Sequence, residues 1–267
     1  MNALSDPAPP RPRWNWLLLS FARREVFNRY AGSASGLAWT LLHPLAQLAI
    51  FAIVFSQVFR VPVPAEYSSA SYTTFVAIAL WPWIMFNEGL QRAMGSVGAN
   101  AGLIRKVAFP HRLLVYAAVL ATFAVHAVGF VAVIVVLKLL GQPVALSHLP
   151  LAFVLLVPYL LLAAGLGAAL AAFQTLLRDV EHGVQIVLTV LLYASPVLYS
   201  TSLVPAEWRS WYRLNPIAWL SERLREVLLG GSGLVAGDLV AAIGCAAVFG
   251  IGLWIFNRIS PHFEDFL

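Results

Sequence analysis

Six long apolar stretches constrain this chain more than any other feature. A helix needs about 20 apolar residues, at about 1.5 Å each, to cross the hydrocarbon core of a bilayer. The stretches of that length are Leu37–Phe59, Tyr72–Leu90, Leu113–Leu140, Leu149–Leu177, Gly183–Leu203 and Leu234–Phe256. Period-2 alternation is absent, and lipid satisfies no backbone polar group, so helices are the reasonable structure. The sequence therefore predicts an all-α membrane protein with six transmembrane helices.

The composition excludes several functions. Of 267 residues, 60% are hydrophobic and 11% charged, whereas a soluble domain is nearer half apolar and a quarter charged. The single Cys245 allows no disulfide framework and reads as a small buried hydrophobe. No P-loop string and no His-Glu-x-x-His string occurs. We therefore expect no catalytic residue, no metal and no ATP bound by this chain itself, and no nucleic-acid partner.

The Lys and Arg residues between the stretches predict the orientation. Residues 1–36 carry five and residues 91–112 carry four, while Arg178 and Arg258 add one each, which makes eleven on one side. The opposite side carries six, namely Arg60, Lys138, Arg209, Arg213, Arg223 and Arg225. The positive-inside rule then places both termini in the cytoplasm. We expect a multi-pass membrane protein with no removable signal peptide.

Residues 14–30 are predicted to form an amphipathic helix before the first span. Its apolar stripe comprises Trp16, Leu19, Ala22, Val26 and Tyr30. Mixed aromatic and arginine side chains suit a helix that lies in the cytoplasmic membrane interface. An ordinary solvated helix is the alternative. This helix belongs to a cytoplasmic N-terminal region of residues 1–36, followed by the six-span domain (37–256) and a cytoplasmic tail (257–267).

Residues 204–233, between spans five and six, are predicted to form two short amphipathic helices. Trp208 and Trp211 lie on the first helix. Asn215 and Pro216 form a strong start signal for the second, with Asn as the cap and Pro in the first turn. The pair is predicted to be a hairpin that dips into the outer leaflet, with a plain surface hairpin as the alternative.

Ionisable residues are few inside the spans, and aromatic residues are abundant. His43 and His126 are interpreted as hydrogen-bonded packing residues, and Glu88 lies near the cytoplasmic end of span two. The aromatic set within or beside the spans is Trp39, Phe51, Phe55, Phe75, Trp81, Trp83, Phe86, Tyr159, Phe173, Tyr193 and Tyr199. Sugar rings stack on aromatic faces, so an aromatic-lined path suits a glycan. The alternative is that these aromatic residues form a belt at the membrane interface and otherwise face lipid.

Several short strings stand in a fixed order between residues 23 and 230. They are Arg29-Tyr30-x-Gly32-Ser33-x-x-Gly36-x-x-Trp39 with Pro44-Leu45, Trp81-Pro82-Trp83 with Glu88, Asn100-x-x-Leu103-Ile104-Arg105-Lys106-x-x-Phe109-Pro110, Arg178-Asp179-Val180, Ser195-Pro196-Val197-x-Tyr199 and Leu214-Asn215-Pro216. The ordered set resembles the polysaccharide-export permeases of the ABC transporter superfamily. These are the integral subunits that export O-antigen, capsule or teichoic acid chains.

This resemblance implies partners and site residues. The chain is expected to lie in the bacterial inner membrane, to form a homodimer with one channel and to bind two copies of a separate ABC ATPase, which would hold ATP and Mg. The segment from Gly95 to Lys106 matches the coupling helix that contacts the ATPase. The residues expected at this contact are Gly95, Asn100, Arg105, Lys106, Phe109, Pro110, Arg178 and Asp179. The paired outer helices, with Trp208, Trp211, Asn215 and Pro216, would form the outer gate.

The substrate path is predicted from the aromatic set. Trp39, Trp83, Phe86 and Tyr199 are expected to line the channel. Arg24 and Arg29 are expected to meet the anionic lipid-phosphate end of the substrate. The leading function is export of a lipid-linked polysaccharide, with O-antigen first and capsule or teichoic acid as alternatives. A drug or lipid permease, a membrane-bound transferase and a structural anchor are the competing functions.

Overall fold

A computed structural model describes residues 14–30 and 36–266, and all regular structure in these two ranges is helical. The helices are α1 (Trp14–Tyr30), α2 (Gly36–Ile53), α3 (Tyr72–Ala99), α4 (Ala101–Ile104), α5 (Arg112–Leu139), α6 (Leu149–Leu176), α7 (Val180–Ala194), α8 (Ala206–Leu214), α9 (Pro216–Leu228), α10 (Ala236–Ile259) and α11 (Phe263–Phe266). A π-helical turn, Val54–Val58, continues α2. The predicted all-α class is confirmed. The first 13 residues of the predicted N-terminal region lie outside the described residues.

Within the two described ranges, three helical segments are long and apolar enough to cross a membrane, namely Arg112–Leu139, Leu146–Leu176 and Ala236–His262. Two shorter apolar helices, Leu42–Val58 and Val180–Ala194, accompany them. The predicted span Tyr72–Leu90, which lies in α3, is not among these five apolar segments. It forms the centre of the bundle, in contact with α2, α5, α6, α7 and α9. Because most of its side chains contact protein, α3 accommodates polar residues that a lipid-facing helix would exclude.

Glycines allow α6 and α10 to pack closely. A Cβ atom on Gly252 of α10 would lie 1.9 Å from the carbonyl oxygen of Gly165 on α6. Any side chain at Gly252 would therefore push the two helices apart. Small residues at a helix crossing are the usual means of close packing in membranes, where apolar burial supplies little force between helices.

The fifth predicted span is wrong in its extent. The sequence predicts a helix over Gly183–Leu203, but α7 ends at Ala194. Its 15 residues measure only about 22 Å at 1.5 Å per residue, which is short of the bilayer core. Pro196 explains the end, because the residue before a proline is disfavoured in a helix. Residues 195–198, which follow α7, are buried within the protein.

The helix α1 confirms the predicted helix at residues 14–30, but its packing differs from the predicted stripe. The side chains of Trp16 and Leu19 are each 68% exposed, whereas Phe21, Ala22 and Val26 are half-buried. The helix is apolar on more than one side, so one face contacts the protein, chiefly α5, while another points away from it.

Three segments that are distant in sequence meet at one end of the bundle. The Phe21 ring of α1 lies 5.5 Å from the Phe109 ring, which lies 5.4 Å from the His111 ring. The His111 ring stacks at 5.9 Å on Phe263 of α11. Because Arg105 and Lys106 lie in the same loop, we call this the basic end. The opposite end, where α3 begins and α8 lies, is called the hairpin end. The structure thus places together the three segments that the charge count assigns to one side.

Candidate functional site

The predicted coupling segment is divided at Asn100. The helix α3 continues through Gly95 to Ala99, and the separate turn α4 follows Asn100. The segment is therefore not one helix from Gly95 to Lys106, because the backbone leaves the helical conformation at Asn100. Arg105 and Lys106 follow α4 directly, and both are exposed.

A cavity of about 490 Å³ at the basic end brings two predicted coupling segments together. Gly95 and Gly98 of α3 line one side, and Gln174 and Arg178 at the end of α6 line another. Asp179, next to Arg178, is exposed just before α7. Phe109 packs against α1, and Pro110 is half-buried shortly before α5. These predicted coupling residues are thus grouped at the basic end.

Arg24 makes a protein contact in this conformation. Its Nη2 donates a hydrogen bond to Oδ1 of Asn100, and its guanidinium lies 5.1 Å from the centre of the Phe21 ring. Asn100 in turn donates to the carbonyl oxygen of Ser96, at 2.8 Å. Arg24 therefore joins α1 to the junction of α3 and α4. The side chain of Arg29 lies outside the described part of the chain.

A cavity of about 370 Å³ opens between α2, α3 and α7, and we call it the amide–aromatic cavity. Its amide side chains are Gln47 on α2, Asn87 and Gln91 on α3, and Gln185 on α7. Its aromatic side chains are Phe51, Trp83 and Tyr193, and Leu188, Thr189 and Leu192 complete the lining. No charged residue is among the described residues of this lining. The arrangement offers hydrogen-bond donors, acceptors and flat apolar faces at one place.

The four aromatic residues predicted for the substrate path occupy different positions. Trp83 lines the amide–aromatic cavity, and Trp39 is 63% exposed on α2. Phe86 is fully buried between α3 and α6, with its ring 6.2 Å from that of Tyr159, so in this conformation it contributes no surface to a channel wall. The Tyr199 hydroxyl donates to the carbonyl oxygen of Tyr193 and lies 2.9 Å from the Tyr212 hydroxyl.

A charged network extends from α1 into the bundle. Glu88 of α3 lies 2.6 Å from Nε2 of the buried His126 on α5 and accepts a 2.7 Å hydrogen bond from Nε of Arg92. Arg92 also lies 3.6 Å from Glu25 of α1. The predicted hydrogen-bonded packing role of His126 is confirmed. The sequence did not indicate that its partner is Glu88, because 38 residues separate them.

The predicted start of α9 is confirmed in detail. The Asn215 side chain accepts the N–H of Ile217 at 3.0 Å, and Pro216 is the first residue of α9. Asn215 also donates to Oγ of Ser195, at 2.8 Å, which ties the hairpin to the end of α7. Trp208 and Trp211 are exposed on α8. The apolar stripe of α9, by contrast, packs against α3, α6 and α10 rather than lying on an outer surface.

Arg225 of α9 is a buried structural residue that the sequence reasoning missed. It is fully buried and donates to the carbonyl oxygens of Phe75 at 3.0 Å, Pro196 at 2.7 Å and Val197 at 2.6 Å. Its guanidinium also lies 3.8 Å from the centre of the Phe75 ring. Arg225 thus satisfies the non-helical backbone that follows α7.

A second buried arginine holds α9 to α10. Nε of Arg223 donates to Oδ1 of Asp238 at 2.8 Å, and its Nη1 pairs with Glu226. The Trp219 indole N–H also donates to Asp238, at 3.1 Å. One feature of the sequence indicated these contacts. Arginines cluster between the fifth and sixth predicted spans, on the predicted outer side, where the positive-inside rule expects few positive charges.

These observations define an α-helical membrane protein with an uncharged polar cavity among its helices and an exposed basic loop at one end. The model of the ABC-2 type transporter family matches residues 17–229, and the chain belongs to this family. The match confirms the predicted membership of the ABC transporter superfamily.

Curated relatives carry related names. The chain is 25% identical to an O-antigen export system permease protein RfbA of Klebsiella pneumoniae, over 94% of this chain and 95% of the relative. It is 29% identical to an RfbA permease of Myxococcus xanthus, over 73% and 72% of the two chains. It is 23% identical to the polysialic acid transport protein KpsM of Escherichia coli, over 78% and 79%. These names agree with the resemblance to polysaccharide-export permeases.

Proposed function

We propose that this chain is the channel-forming subunit of an ATP-driven exporter that moves a lipid-linked polysaccharide out of the cytoplasm, with O-antigen as the first candidate. The amide–aromatic cavity carries the proposal. Amide groups donate to and accept from sugar hydroxyls, and aromatic rings stack on sugar C–H faces. A lining without charge suits repeated, weak contacts with a moving chain. The names of the relatives support the same substrate class.

The proposal includes a second copy of the chain. Gln185, Thr189 and Tyr193 are exposed along α7, beside the cavity. One protomer therefore presents this polar surface openly, and a facing copy would enclose it in a channel with two-fold symmetry. The exporter would also hold two ATPase subunits, which bind ATP and Mg. Both termini would lie in the cytoplasm, with the protein in the bacterial inner membrane and the hairpin end facing outward.

The mass of the purified exporter tests this assembly. We expect the complex, co-expressed with its ATPase and extracted in detergent, to contain two copies of this chain and two of the ATPase. Replacing the P-loop lysine of the ATPase should stop polysaccharide export while the complex stays intact. A complex with a single copy of this chain, measured by native mass spectrometry, would contradict the proposed channel.

Charge reversal in the basic loop tests the contact with the ATPase. Arg105→Glu combined with Lys106→Glu should reduce the amount of ATPase that copurifies by about tenfold, because both side chains are exposed and available to a partner. Lys138→Glu is the matched control, since Lys138 is an exposed cation at the end of α5, near the hairpin end. Equal recovery of the ATPase with the double variant and with the control would reject the assignment.

A further inference from the structure

An apolar groove of about 470 Å³ lies between α6, α9 and α10, and we call it the α10 groove. Its lining on α10 is one stripe of residues at helical spacing, namely Gly237, Val240, Ala241, Gly244, Cys245 and Val248. The rest of the lining is Leu162, Leu214, Pro216 and Trp219. Among these described residues the side chains are apolar apart from the Cys245 thiol and the Trp219 indole N–H, which already donates to Asp238 at 3.1 Å. The groove therefore suits a hydrocarbon chain.

The length of the α10 groove matches one leaflet of a bilayer. Gly237 lies in the first turn of α10, near the hairpin end, and Val248 lies 11 residues further along the helix. At 1.5 Å per residue this stripe is about 17 Å long, and one leaflet supplies half of a hydrocarbon core of about 30 Å. Val240 and Gly244 are exposed, so the groove opens away from the bundle on a helix that is long and apolar enough to cross a membrane. One acyl chain of the leaflet at the hairpin end would fit along it.

A polar cavity of about 270 Å³ adjoins the α10 groove at Trp219, which lines both. We call it the hairpin-end cavity, and its other lining residues are Glu66, Thr201, Arg209, Tyr212, Ala218, Glu222 and Glu226. The Trp219 ring is held by its hydrogen bond to Asp238 and by close packing on Gly237, where a Cβ atom would lie 2.2 Å from the ring. A groove that suits one acyl chain thus meets a polar cavity, which is the arrangement that an amphiphilic molecule requires.

Two of the three carboxylates in the hairpin-end cavity already have cationic partners. Glu226 pairs with Arg223, and Glu222 lies 3.7 Å from the buried Arg225. Glu66 is exposed, and no ion pair among the described residues involves it. Glu66 is therefore the carboxylate of this cavity that can bind a cationic group of a ligand.

Arg209 is the cation of the hairpin-end cavity. Its Nε and Nη2 donate to the carbonyl oxygens of Val204 and Ser202, and no ion pair among the described residues uses its charge. One cation and one carboxylate thus lie in the same cavity, and a zwitterionic headgroup is complementary to that pair. A headgroup with net negative charge would also face the carboxylates of the lining, which repel it.

We propose that a phospholipid with an ammonium headgroup binds at this place, with one acyl chain in the α10 groove, its phosphate at Arg209 and its ammonium group at Glu66. A guanidinium donates charge-assisted hydrogen bonds to phosphate oxygens, and an ammonium group donates to a carboxylate. Tyr212 and Trp219 also offer aromatic faces to the ammonium group. The site lies outside the amide–aromatic cavity, and its lipid is a resident of the membrane rather than the exported molecule. The inference therefore does not depend on which molecule is exported.

Filling the α10 groove tests the acyl-chain site. Native mass spectrometry of the purified protein, titrated with dioleoyl phosphatidylethanolamine, should show one tightly bound lipid per chain. Gly244→Leu should weaken this binding at least about tenfold, because the new side chain takes the place of several methylene groups of the lipid. A Cβ atom on Gly244 meets no other atom within 4 Å, so the variant should fold. Gly250→Leu is the matched control, since Gly250 has the same free space on the same helix but lies outside the groove. Equal lipid binding by the two variants rejects the site.

Exchange of the headgroup tests the hairpin-end cavity. Dioleoyl phosphatidylglycerol, which carries a net negative charge, should bind about fivefold more weakly than the ammonium lipid, the scale of one exposed ion pair. Glu66→Lys should remove or reverse this preference, whereas Glu207→Lys, at an exposed carboxylate of α8 outside the cavity, should preserve it. A preference of the unaltered protein for phosphatidylglycerol, or the same preference before and after Glu66→Lys, rejects the site. A bound lipid whose mass is that of a glycan carrier also rejects it and leaves the proposed export function in place.

Discussion

Replacing Arg225 with methionine is expected to lower the free energy of unfolding by about 3–5 kcal/mol, the usual cost of leaving buried polar partners uncompensated. The carbonyl oxygens of Phe75, Pro196 and Val197 each accept a hydrogen bond from this guanidinium. Methionine fills a similar volume but donates nothing, so three acceptors lose this partner. Thermal unfolding in detergent, followed by fluorescence-detected size exclusion, should show a large fall in Tm and little protein in the membrane.

Arg209→Met is the matched control for this effect. Arg209 also donates to two backbone carbonyls, those of Val204 and Ser202, but its side chain is exposed and water can replace it. We expect Arg209→Met to lower the free energy of unfolding by less than about 1 kcal/mol. The loss of stability with Arg225→Lys should lie between those of Arg225→Met and Arg209→Met. A single ammonium group keeps the charge but cannot reproduce the several fixed hydrogen bonds of the planar guanidinium. Equal stability of the Arg225 and Arg209 variants would show that Arg225 does not stabilise the segment after α7.

The extent of α7 shows why the sequence alone misjudged this region. The apolar run through residues 183–203 predicts a full span, since hydropathy measures only whether a segment avoids water. Pro196 indicated a break, but it did not indicate what would satisfy the backbone beyond it. Non-helical backbone at membrane depth is tolerated where protein surrounds it. The donor here is Arg225, 29 residues from Pro196, and its role depends on how α9 packs.

The amide–aromatic cavity shows the same limit on sequence reasoning. The aromatic residue Trp83 was predicted for the substrate path because its type alone suggests sugar stacking. Gln47, Asn87 and Gln185 carry no such signal singly, and they lie on three helices that only tertiary packing brings together. In contrast, the helix start at Asn215 and Pro216 was predicted correctly, because capping depends on neighbours in sequence.

The combined substitution of Gln47→Leu and Gln185→Leu should reduce polysaccharide export by at least about tenfold. The two amides lie on α2 and α7, and both line the amide–aromatic cavity. A sugar hydroxyl that enters an apolar passage loses water without gaining a partner, at a cost of about 1–3 kcal/mol for each group. Each repeat unit would meet this cost again. The measurement is the amount of surface polysaccharide, determined by immunoblot. Cells with the variant and with the unaltered protein are compared at equal amounts of permease and of bound ATPase.

Ile186→Leu combined with Val190→Leu is the control, because both residues are exposed on the same helix and neither lines the cavity. These changes keep two exposed positions of α7 apolar and remove no hydrogen-bonding group, so export should remain normal. Trp83→Leu and Tyr199→Leu should reduce export less than the amide pair if hydrogen bonds dominate the contact, and more if stacking dominates. Normal surface polysaccharide in the Gln47 and Gln185 double variant, with the protein folded and the ATPase bound, would exclude the amide–aromatic cavity as the path of the glycan.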